Sequence, residues 1–337
     1  MLTERRSRRR LGLLILLAVG VVLIVVWRGP GFAAAADALA GLEWQFVVLC
    51  YLLNCTSVTL RAASWDAILA QGLPRPRLRR RNVFTAFSIG VVANALLPAR
   101  PGELARIGVV STHLRHGPGA WATVAGTTVA HRLLDVVWYV GLVVFVIAAA
   151  RIPAWAVTTV AVTSILGVIL LALAVALARR RRPTFAGETE GRVRALLSRA
   201  LDGLAVFRSP APAVQAGVLQ CLGWTAELLA IVAMLEAFGL DVPLVAAAVV
   251  LLATNLATLF PFWPGNIGLF QATVALPLVA YGVPYANGLL FAAGLQAVEI
   301  SVALSLGLPS LAYEGVSFAS LRERRLGAPP ATDGIET

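Results

Sequence analysis

The chain alternates between long apolar stretches and short clusters of arginine. A helix needs about 20 apolar residues to cross the hydrocarbon core of a bilayer, because it rises about 1.5 Å per residue. Apolar stretches near or above this length lie at 11–27, 44–62, 133–150, 153–178, 213–238 and 285–312. Each stretch predicts one span, and the apolar residues at 119–131 extend the third span into one long helix.

Two further apolar stretches, 83–98 and 244–281, are interrupted by proline and glycine. Proline removes a backbone N–H donor and disrupts the preceding turn, and glycine permits a tight reversal of the chain. Lipid cannot satisfy the backbone groups that such a break frees, so the break must face protein or a wet cavity. We therefore predict two broken, re-entrant segments.

The composition is that of a membrane protein. Hydrophobic residues make up 59% of the 337 positions, charged residues make up 13%, and the mean hydropathy is +0.82. A soluble domain carries about 25% charged residues, so this chain could not cover its apolar surface in water. We predict an all-α integral membrane protein, a polytopic helical bundle.

The distribution of arginine predicts the orientation. The net charge is +11, and all 28 lysine or arginine positions are arginine. The arginine clusters lie in the N-terminal segment, at 75–81, at 179–208 and at 322–325. The arginine-poor connections lie near 28–43, 151–152 and 239–243. Because cytoplasmic loops are enriched in arginine, we expect both termini in the cytoplasm and the protein in the inner or plasma membrane, without nucleic acid as a partner.

The first apolar stretch has a second interpretation. It follows several arginines and precedes a run of alanine, so 11–27 could belong to a cleaved secretory signal. We favour an uncleaved span because the chain continues with further spans. Both interpretations place residue 30 onward on the outer side.

Each span carries the chain to the opposite side of the membrane, and this constrains how often the two broken segments can cross. Segment 83–118 must enter and leave on the inner side or cross twice, and 244–281 must do the same from the outer side. We expect six spans, or ten if both broken segments cross fully. The predicted organisation is a first membrane half at 1–178, an arginine-rich cytoplasmic loop at 179–212, a second half at 213–320 and a polar cytoplasmic tail at 321–337.

The two breaks share a sequence pattern in which Asn precedes Pro-x-x-Pro-Gly. The first reads Asn94-Ala-Leu-Leu-Pro98-Ala-Arg100-Pro101-Gly102-Glu103, and the second runs from Asn255 through Pro261, Pro264 and Gly265 to Asn266. If the chain enters these two segments from opposite sides of the membrane, they form an inverted repeat with broken helices near the midplane, as in many transporters. A helix that begins there would point its partially positive N-terminus at an anionic phosphate. Chance recurrence of the pattern is the alternative.

Charged residues flank the first break. Glu103 and Arg106 are three positions apart and so can pair on one helical face. Arg100 precedes Pro101 and is expected to be extended. Two arginines and one carboxylate predict a net positive site suited to phosphate. The alternative is that these arginines anchor the segment at the inner interface.

Further ionisable residues lie at membrane depth, where such groups usually face the bundle interior. Arg132 and Asp135 can pair at i, i+3, as part of a site or as a structural ion pair. His131 is expected to hydrogen-bond between helices. Glu227 and Glu299 are expected to face the interior.

No catalytic or metal centre is predicted. Arg61 and Asp66 near the inner end of their stretch are expected to snorkel to the interface. His113 and His116 have helical metal-ligand spacing but no carboxylate or cysteine partner nearby, so we expect neither a metal nor a cofactor. The chain lacks nucleotide-binding and hydrolase motifs, so transport would be passive, gradient-coupled or partner-driven.

The two breaks resemble the lysylphosphatidylglycerol synthase/flippase transmembrane-region family, the membrane half of multiple-peptide-resistance proteins. The first motif covers residues 94–106, the second 260–271, and the resemblance extends over about 10–320. Asn266 stands where the family usually has Gly, and Gln271 where it has Glu. Gln271 cannot titrate, so no proton-coupled role is expected there. The family's aminoacyl-transferring soluble domain is not recognised, so lysyl transfer by this chain alone is not expected.

Together these features predict a flippase-like protein for an anionic phospholipid or a polyprenyl-phosphate-linked glycolipid. Arg100 and Arg106 would hold the phosphate, Glu103 would fix the arginines, and Asn94 and Asn255 would satisfy freed backbone groups. The further substrate-binding residues predicted at the second break are Pro264, Gly265 and Gln271.

Two other functions remain open. One is a non-transporting membrane partner of a glycosyltransferase or of a lipid-modifying enzyme such as an aminoacyl-phosphatidylglycerol synthase, with 179–212 as the docking surface. The other is an enzyme with an intramembrane site at His131, Arg132 and Asp135, although no nucleophile or metal set accompanies these residues.

Overall fold

A computed structural model describes residues 40–73, 78–114, 119–150, 154–180, 192–257 and 266–315. Within these ranges all regular secondary structure is helical. The helices are α1 (Trp44–Gly72), α2 (Arg80–Leu96), α3 (Gly102–Thr112), α4 (Ala120–Ala149), α5 (Ala154–Arg180), α6 (Arg192–Asp202), a 3₁₀ helix (Gly203–Arg208), α7 (Pro210–Ala237), α8 (Leu244–Ala257), α9 (Leu269–Val279) and α10 (Tyr285–Glu314).

Five of the helices are long and apolar enough to cross a membrane, namely α1, α4, α5, α7 and α10. They correspond to five of the six predicted spans, and the predicted extension of the third span back to residue 120 is confirmed. The first predicted span, 11–27, lies outside the described residues. The chain is a multi-pass, all-α membrane protein.

Helices α1 and α7 form an antiparallel pair at the centre of the bundle. The backbone N–H of Glu43 donates to the carbonyl oxygen of Ala237 at one end of the pair, at 3.1 Å. Toward the other end, the Ser64 hydroxyl donates to the carbonyl oxygen of Ala216 at 2.8 Å. Gly223 allows this close approach, because a Cβ there would lie 2.6 Å from the Cγ of Arg61.

The first broken segment is a helix–break–helix hairpin made by α2 and α3. Gly102, the first residue of α3, packs so closely on Gly90 of α2 that neither has room for a Cβ. The chain reverses at 97–101, where Ala99 and Arg100 have φ angles of 62° and 47°. Arg100 is thus left-handed and the prediction of an extended residue was wrong, because the tight reversal outweighs the usual restriction before proline. Re-entry of this hairpin into the membrane stays a prediction.

Helices α8 and α9 flank the second break. The break itself, 258–265, lies outside the described residues, as do Pro264 and Gly265. On its far side Asn266 has a φ of 50°, a conformation that asparagine tolerates better than most residues. The inverted repeat therefore stays a prediction.

Segment 179–212, predicted as a soluble loop, contains helical structure that packs on the bundle. Helix α5 continues to Arg180, α6 packs on α4, and the 3₁₀ helix buries Leu204, Val206 and Phe207. The helices were not predicted because arginines are interspersed with the apolar residues of this segment. Those apolar residues form one face of an amphipathic helix and a buried 3₁₀ turn.

At the Gly72 end of α1, the end predicted to be cytoplasmic, one carboxylate joins three helices. Glu314 of α10 accepts a hydrogen bond from the hydroxyl of Thr85 on α2 and lies 2.7 Å from Nε2 of His113, the residue that follows α3. His113 was considered as half of a metal-binding pair, and its partner His116 lies outside the described residues.

Three apolar cores fill the described part of the bundle, one of which joins α4, α5 and the 3₁₀ helix. The core toward the Glu43 end of α1 includes Met234, Leu251 and Phe291. The core toward the Gly72 end includes Trp65 and Ile89. Between these two cores, halfway along the long helices, lie the charged residues of the candidate site.

Candidate functional site

A charged layer crosses the middle of the bundle. It is made of Arg61, Arg100, Glu103, Arg106, Arg132, Asp135, Glu227 and Glu299. Taking about 1.5 Å per residue, Arg61, Arg132 and Glu299 lie roughly 16–23 Å from the helix ends at the Gly72 side. Because the hydrocarbon core is about 30 Å thick, the layer lies near its midplane if the long helices span the membrane.

Glu103, on the first turn of α3, is the bridge between two arginines. One carboxylate oxygen pairs with Arg106, three positions later on the same helix, and the other pairs with Arg132 of α4. The predicted Glu103–Arg106 pair is confirmed. The contact with α4 ties the first hairpin to a long helix, and neither sequence spacing nor periodicity could show it.

Arg106 is held inside the protein. Its residue is 3% exposed, and its guanidinium lies 4.8 Å from the ring centre of Trp65 and 5.3 Å from that of Phe87. Cation–π contacts on aromatic rings and the Glu103 carboxylate together compensate part of the cost of burying this charge. The charge of Arg106 therefore acts on its surroundings mainly through Glu103.

Arg132 is oriented from two sides. Its Nη1 lies 3.4 Å from Oδ2 of Asp135, which confirms the predicted i, i+3 pair, and its Nη2 faces Glu103. The other oxygen of Asp135 accepts hydrogen bonds from the side-chain amide of Gln220 and, at 2.8 Å, from the indole N–H of Trp224. Asp135 is fixed by α7 and in turn fixes Arg132.

Arg61 belongs to the charged layer, against the prediction that it lies at the interface. Instead of snorkelling to the interface, it pairs with Glu227 at 3.0 Å and lies 4.5 Å from the ring centre of Trp224. The prediction was wrong because α1 continues to Gly72, eleven residues further, which places Arg61 deep in the bundle. The signal that could have found it was Glu227, because a carboxylate at that depth needs a cation.

His131 has a structural position beside the layer. It is fully buried, its Nε2 lies 3.1 Å from the backbone carbonyl oxygen of Arg61, and its ring edge faces Phe87. The prediction of an interhelical hydrogen bond is confirmed. These contacts lock α4 to α1.

The first break brings Arg100 to the edge of the layer. Arg100 is exposed, and it interacts electrostatically with Arg132, Glu299 and Glu103. Its charge therefore acts on Glu103 of the first hairpin, on Arg132 of α4 and on a carboxylate of α10.

Three groups of the layer are accessible from outside the protein. Arg100 is exposed, the side chain of Arg132 keeps 47% of its surface, and that of Glu103 keeps 31%. Lipid tails do not solvate charged groups, so accessible charges at membrane depth require water or a polar ligand beside them. We call this accessible part, made of Arg100, Glu103 and Arg132, the arginine cleft. With two arginines and one carboxylate, it favours an anion.

Comparison with known proteins gives the family. The model of the family described as the lysylphosphatidylglycerol synthase TM region matches residues 11–307. The chain belongs to this family. The resemblance inferred from the two break motifs is confirmed.

Two relatives of the chain are membrane proteins of the group named UPF0104. One, from Methanothermobacter thermautotrophicus, is 23% identical over 287 residues, which cover 78% of this chain and 81% of the relative. The other, PH1989 from Pyrococcus horikoshii, is 29% identical over 126 residues, 37% of this chain and 36% of the relative. The second match therefore spans about a third of that protein's length.

Asn94, in the first break motif, satisfies freed backbone. Its Oδ1 accepts a hydrogen bond from the backbone N–H of Gly102 at 2.7 Å, where α3 begins and no helical partner exists. Within the described residues, the side-chain N–H₂ of Asn255 donates to the carbonyl of Leu251 on its own helix, at 2.8 Å.

Gln271, where the family usually has Glu, links the start of α9 to α10. Its Oε1 accepts from the backbone N–H of Gly268 at 2.6 Å, and its Nε2 donates to Gln296 of α10 at 2.5 Å. This amide uses both its acceptor and its donor, which a carboxylate could not do. Gln271 acts here as a brace between α9 and α10.

Proposed function

We propose that this family member is a flippase-like protein that binds the phosphate group of an anionic lipid in the arginine cleft and moves it between leaflets. The lipid is an anionic phospholipid or a polyprenyl-phosphate-linked glycolipid. The observation that carries the proposal is the accessibility of Arg100 and Arg132 in the charged layer, where both interact with the Glu103 carboxylate.

The chemistry of the cleft fits a phosphate. A guanidinium offers paired N–H donors that match two phosphate oxygens, and its charge persists in a poorly solvated place. Asp135 and Glu103 hold Arg132 in one orientation, so less rotamer entropy is lost when a ligand arrives. Arg100, on the chain reversal, would follow the headgroup as it moves.

The structure supports a different division of roles from the one expected of the sequence. Arg106 is covered by Trp65 and Phe87, so in this proposal it positions Glu103 and does not touch the lipid. Arg132, expected only as an intramembrane polar residue, takes the place of Arg106 as the second phosphate-binding arginine.

The broken helices supply a place where the bundle could rearrange. Helix α3 is short and begins at a tight reversal, and its main polar attachment to α4 is the Glu103–Arg132 pair. A phosphate that competes with Glu103 for Arg132 would loosen this attachment. Binding would then be coupled to movement of the α2–α3 hairpin.

The test is a lipid-scrambling assay. Purified protein is reconstituted into liposomes that hold fluorescent phosphatidylglycerol or, separately, a fluorescent polyprenyl-phosphate sugar, and loss of leaflet asymmetry is followed by quenching from outside. We expect protein-dependent movement of one lipid class, reduced at least about tenfold by Arg100→Ala or Arg132→Ala, in line with loss of a charged hydrogen bond.

Arg180→Ala is the matched control, because Arg180 is an exposed arginine at the end of α5, away from the layer. It should scramble at the wild-type rate. Movement of neither lipid by the wild-type protein would contradict the proposal and favour a non-transporting partner of a lipid-modifying or glycosyl-transferring enzyme. Full activity in both cleft variants would contradict the site.

A further inference from the structure

The Asp135 carboxylate links α7 to the arginine cleft. Gln220 and Trp224, one turn apart on α7, both donate to its Oδ1, and the bond from the Trp224 indole is 2.8 Å long. Its other oxygen, Oδ2, lies 3.4 Å from Nη1 of Arg132. One oxygen therefore binds α7, and the other faces an arginine of the cleft.

We propose that Gln220 and Trp224 are positioning residues of the arginine cleft. They hold the Asp135 carboxylate back from Arg132, so that the guanidinium of Arg132 stays available to the phosphate of an anionic lipid. This inference rests on the proposed function and deepens it by naming residues that set the affinity of the cleft.

The distance between Asp135 and Arg132 supports this restraint. A hydrogen bond from a guanidinium to a carboxylate is about 2.7–2.9 Å long, so the 3.4 Å pair is a long one. The neighbouring pair of the layer is shorter, with 3.0 Å between Arg61 and Glu227. Within the described residues, the closest donors to Asp135 are thus the neutral groups of α7 and not the cation beside it.

The Trp224 indole is itself held in place. Trp224 is 4% exposed, and its ring centre lies 4.5 Å from the guanidinium carbon of Arg61, which pairs with Glu227 one turn further along α7. A cation over the face of an indole ring is a favourable contact. The direction of the indole N–H is therefore fixed by an ion pair outside the cleft.

Gln220 is fully buried, and its contact with Asp135 accounts for an amide at this position. Its Nε2 donates to Asp135, whereas its Oε1 has no hydrogen-bond partner among the described residues. An unpaired buried acceptor costs free energy, which an apolar side chain of similar volume would avoid. What the amide adds here is a second donor to Oδ1.

Without these donors, the Asp135 carboxylate could pair with Arg132 through both oxygens. Bidentate pairing of arginine with a carboxylate is a strong form of this contact. It would occupy N–H groups that the proposed function assigns to the phosphate, because Glu103 already pairs with Nη2 of the same guanidinium. Loss of either donor should therefore weaken anion binding without removing a group that touches the lipid.

The test is lipid affinity in variants that each remove one donor. Short-chain phosphatidylglycerol is titrated into the purified protein in detergent, and binding is followed by calorimetry. Trp224→Phe keeps an aromatic ring beside Arg61 and loses the N–H, and Gln220→Met keeps the volume and loses the amide. We expect each variant to raise the Kd about three- to tenfold, less than the full effect of losing a hydrogen bond to a charged group because the other donor remains.

A second comparison tests whether the two residues act through Asp135. Asp135→Asn removes the charge that they restrain. In this background Trp224→Phe and Gln220→Met should change the Kd by less than about twofold, whatever the effect of Asp135→Asn alone. A merely structural role would lower the affinity by the same factor in both backgrounds, and that result would overturn the restraint.

Trp121→Phe is the matched control and should bind as wild type, because Trp121 is an exposed tryptophan in the first turn of α4. Unchanged affinity in Trp224→Phe and Gln220→Met would overturn the restraint and leave the proposed function standing. If one of these variants does not fold, the other decides, because both residues donate to one oxygen. Absence of binding by the wild-type protein would contradict the proposed function and, with it, the restraint.

Discussion

At the scale of single residues, ion pairs along and between helices hold the charged layer together. The Glu103–Arg106 and Arg132–Asp135 pairs are i, i+3 contacts along one helix. The contacts between helices, such as Glu103 with Arg132, join positions 29 residues apart. They depend on how α3 docks on α4, which a single sequence does not encode in any local pattern.

The first prediction concerns the Arg61–Glu227 pair, whose side chains are 18% and 23% exposed. Arg61→Met or Glu227→Gln alone should destabilise the protein by about 2–5 kcal/mol, because each leaves the opposite charge without its partner in the bundle. The double variant Arg61→Met/Glu227→Gln should recover much of this loss. Thermal unfolding in detergent, followed by tryptophan fluorescence, measures the coupling.

Strictly additive losses in the double variant would contradict the pairing of Arg61 with Glu227. Arg61→Met and the double variant both lose the contact of Arg61 with Trp224. This loss therefore cancels when the effect of Arg61→Met is compared between the wild-type protein and Glu227→Gln. The coupling therefore reports the ion pair.

At the scale of helices, apolar length and proline positions were sufficient to find the long spans and the first break. They were insufficient for the segment at 192–208, where arginines alternate with the apolar residues that pack on the bundle. They also missed the full length of α1, because Arg61 and Asp66 interrupt its apolar pattern although the helix continues to Gly72. A charged residue within a long helix interrupts the apolar pattern of the sequence in the same way as the end of a span does.

The second prediction concerns the close contact of α2 with α3. Gly102→Ala should disrupt the hairpin, because a Cβ there would overlap the backbone carbonyl of Gly90 and the side chain of Asn94. We expect loss of folded protein in detergent or a large fall in its unfolding temperature, together with loss of lipid movement. The measurement is the monodisperse fraction in size-exclusion chromatography after heating.

Gly108→Ala on the same helix is the matched control, since a Cβ there meets no atom within 4 Å. It should leave the protein as stable as wild type or slightly more stable, because alanine favours a helix over glycine. Equal behaviour of the two variants would show that α3 does not pack on α2 through Gly102.

At the scale of the whole molecule, the order of arginine-rich and arginine-poor connections predicts which ends of the bundle share a side. The antiparallel contact of Glu43 with Ala237 places the start of α1 beside the end of α7, and both belong to connections predicted to be outside. The contact of His113 with Glu314 similarly joins two ends predicted to be inside.

The third prediction is this orientation. In a protein whose three cysteines are replaced by alanine, Gly239→Cys should react with a membrane-impermeant maleimide added to intact cells, because it lies in the turn after α7. Arg180→Cys, at the end of α5, should react only after the membrane is opened. The reverse labelling pattern would contradict the orientation and place the termini outside.

The proposed function requires that Arg100 and Arg132 bind the phosphate of an anionic lipid. The most direct measurement is native mass spectrometry of the purified protein with phosphatidylglycerol and phosphatidylcholine in equal amounts. We predict preferential retention of phosphatidylglycerol by the wild-type protein and by Arg180→Ala, and loss of this preference in Arg100→Ala/Arg132→Ala that remains folded. An undiminished preference in the double variant would contradict the claim.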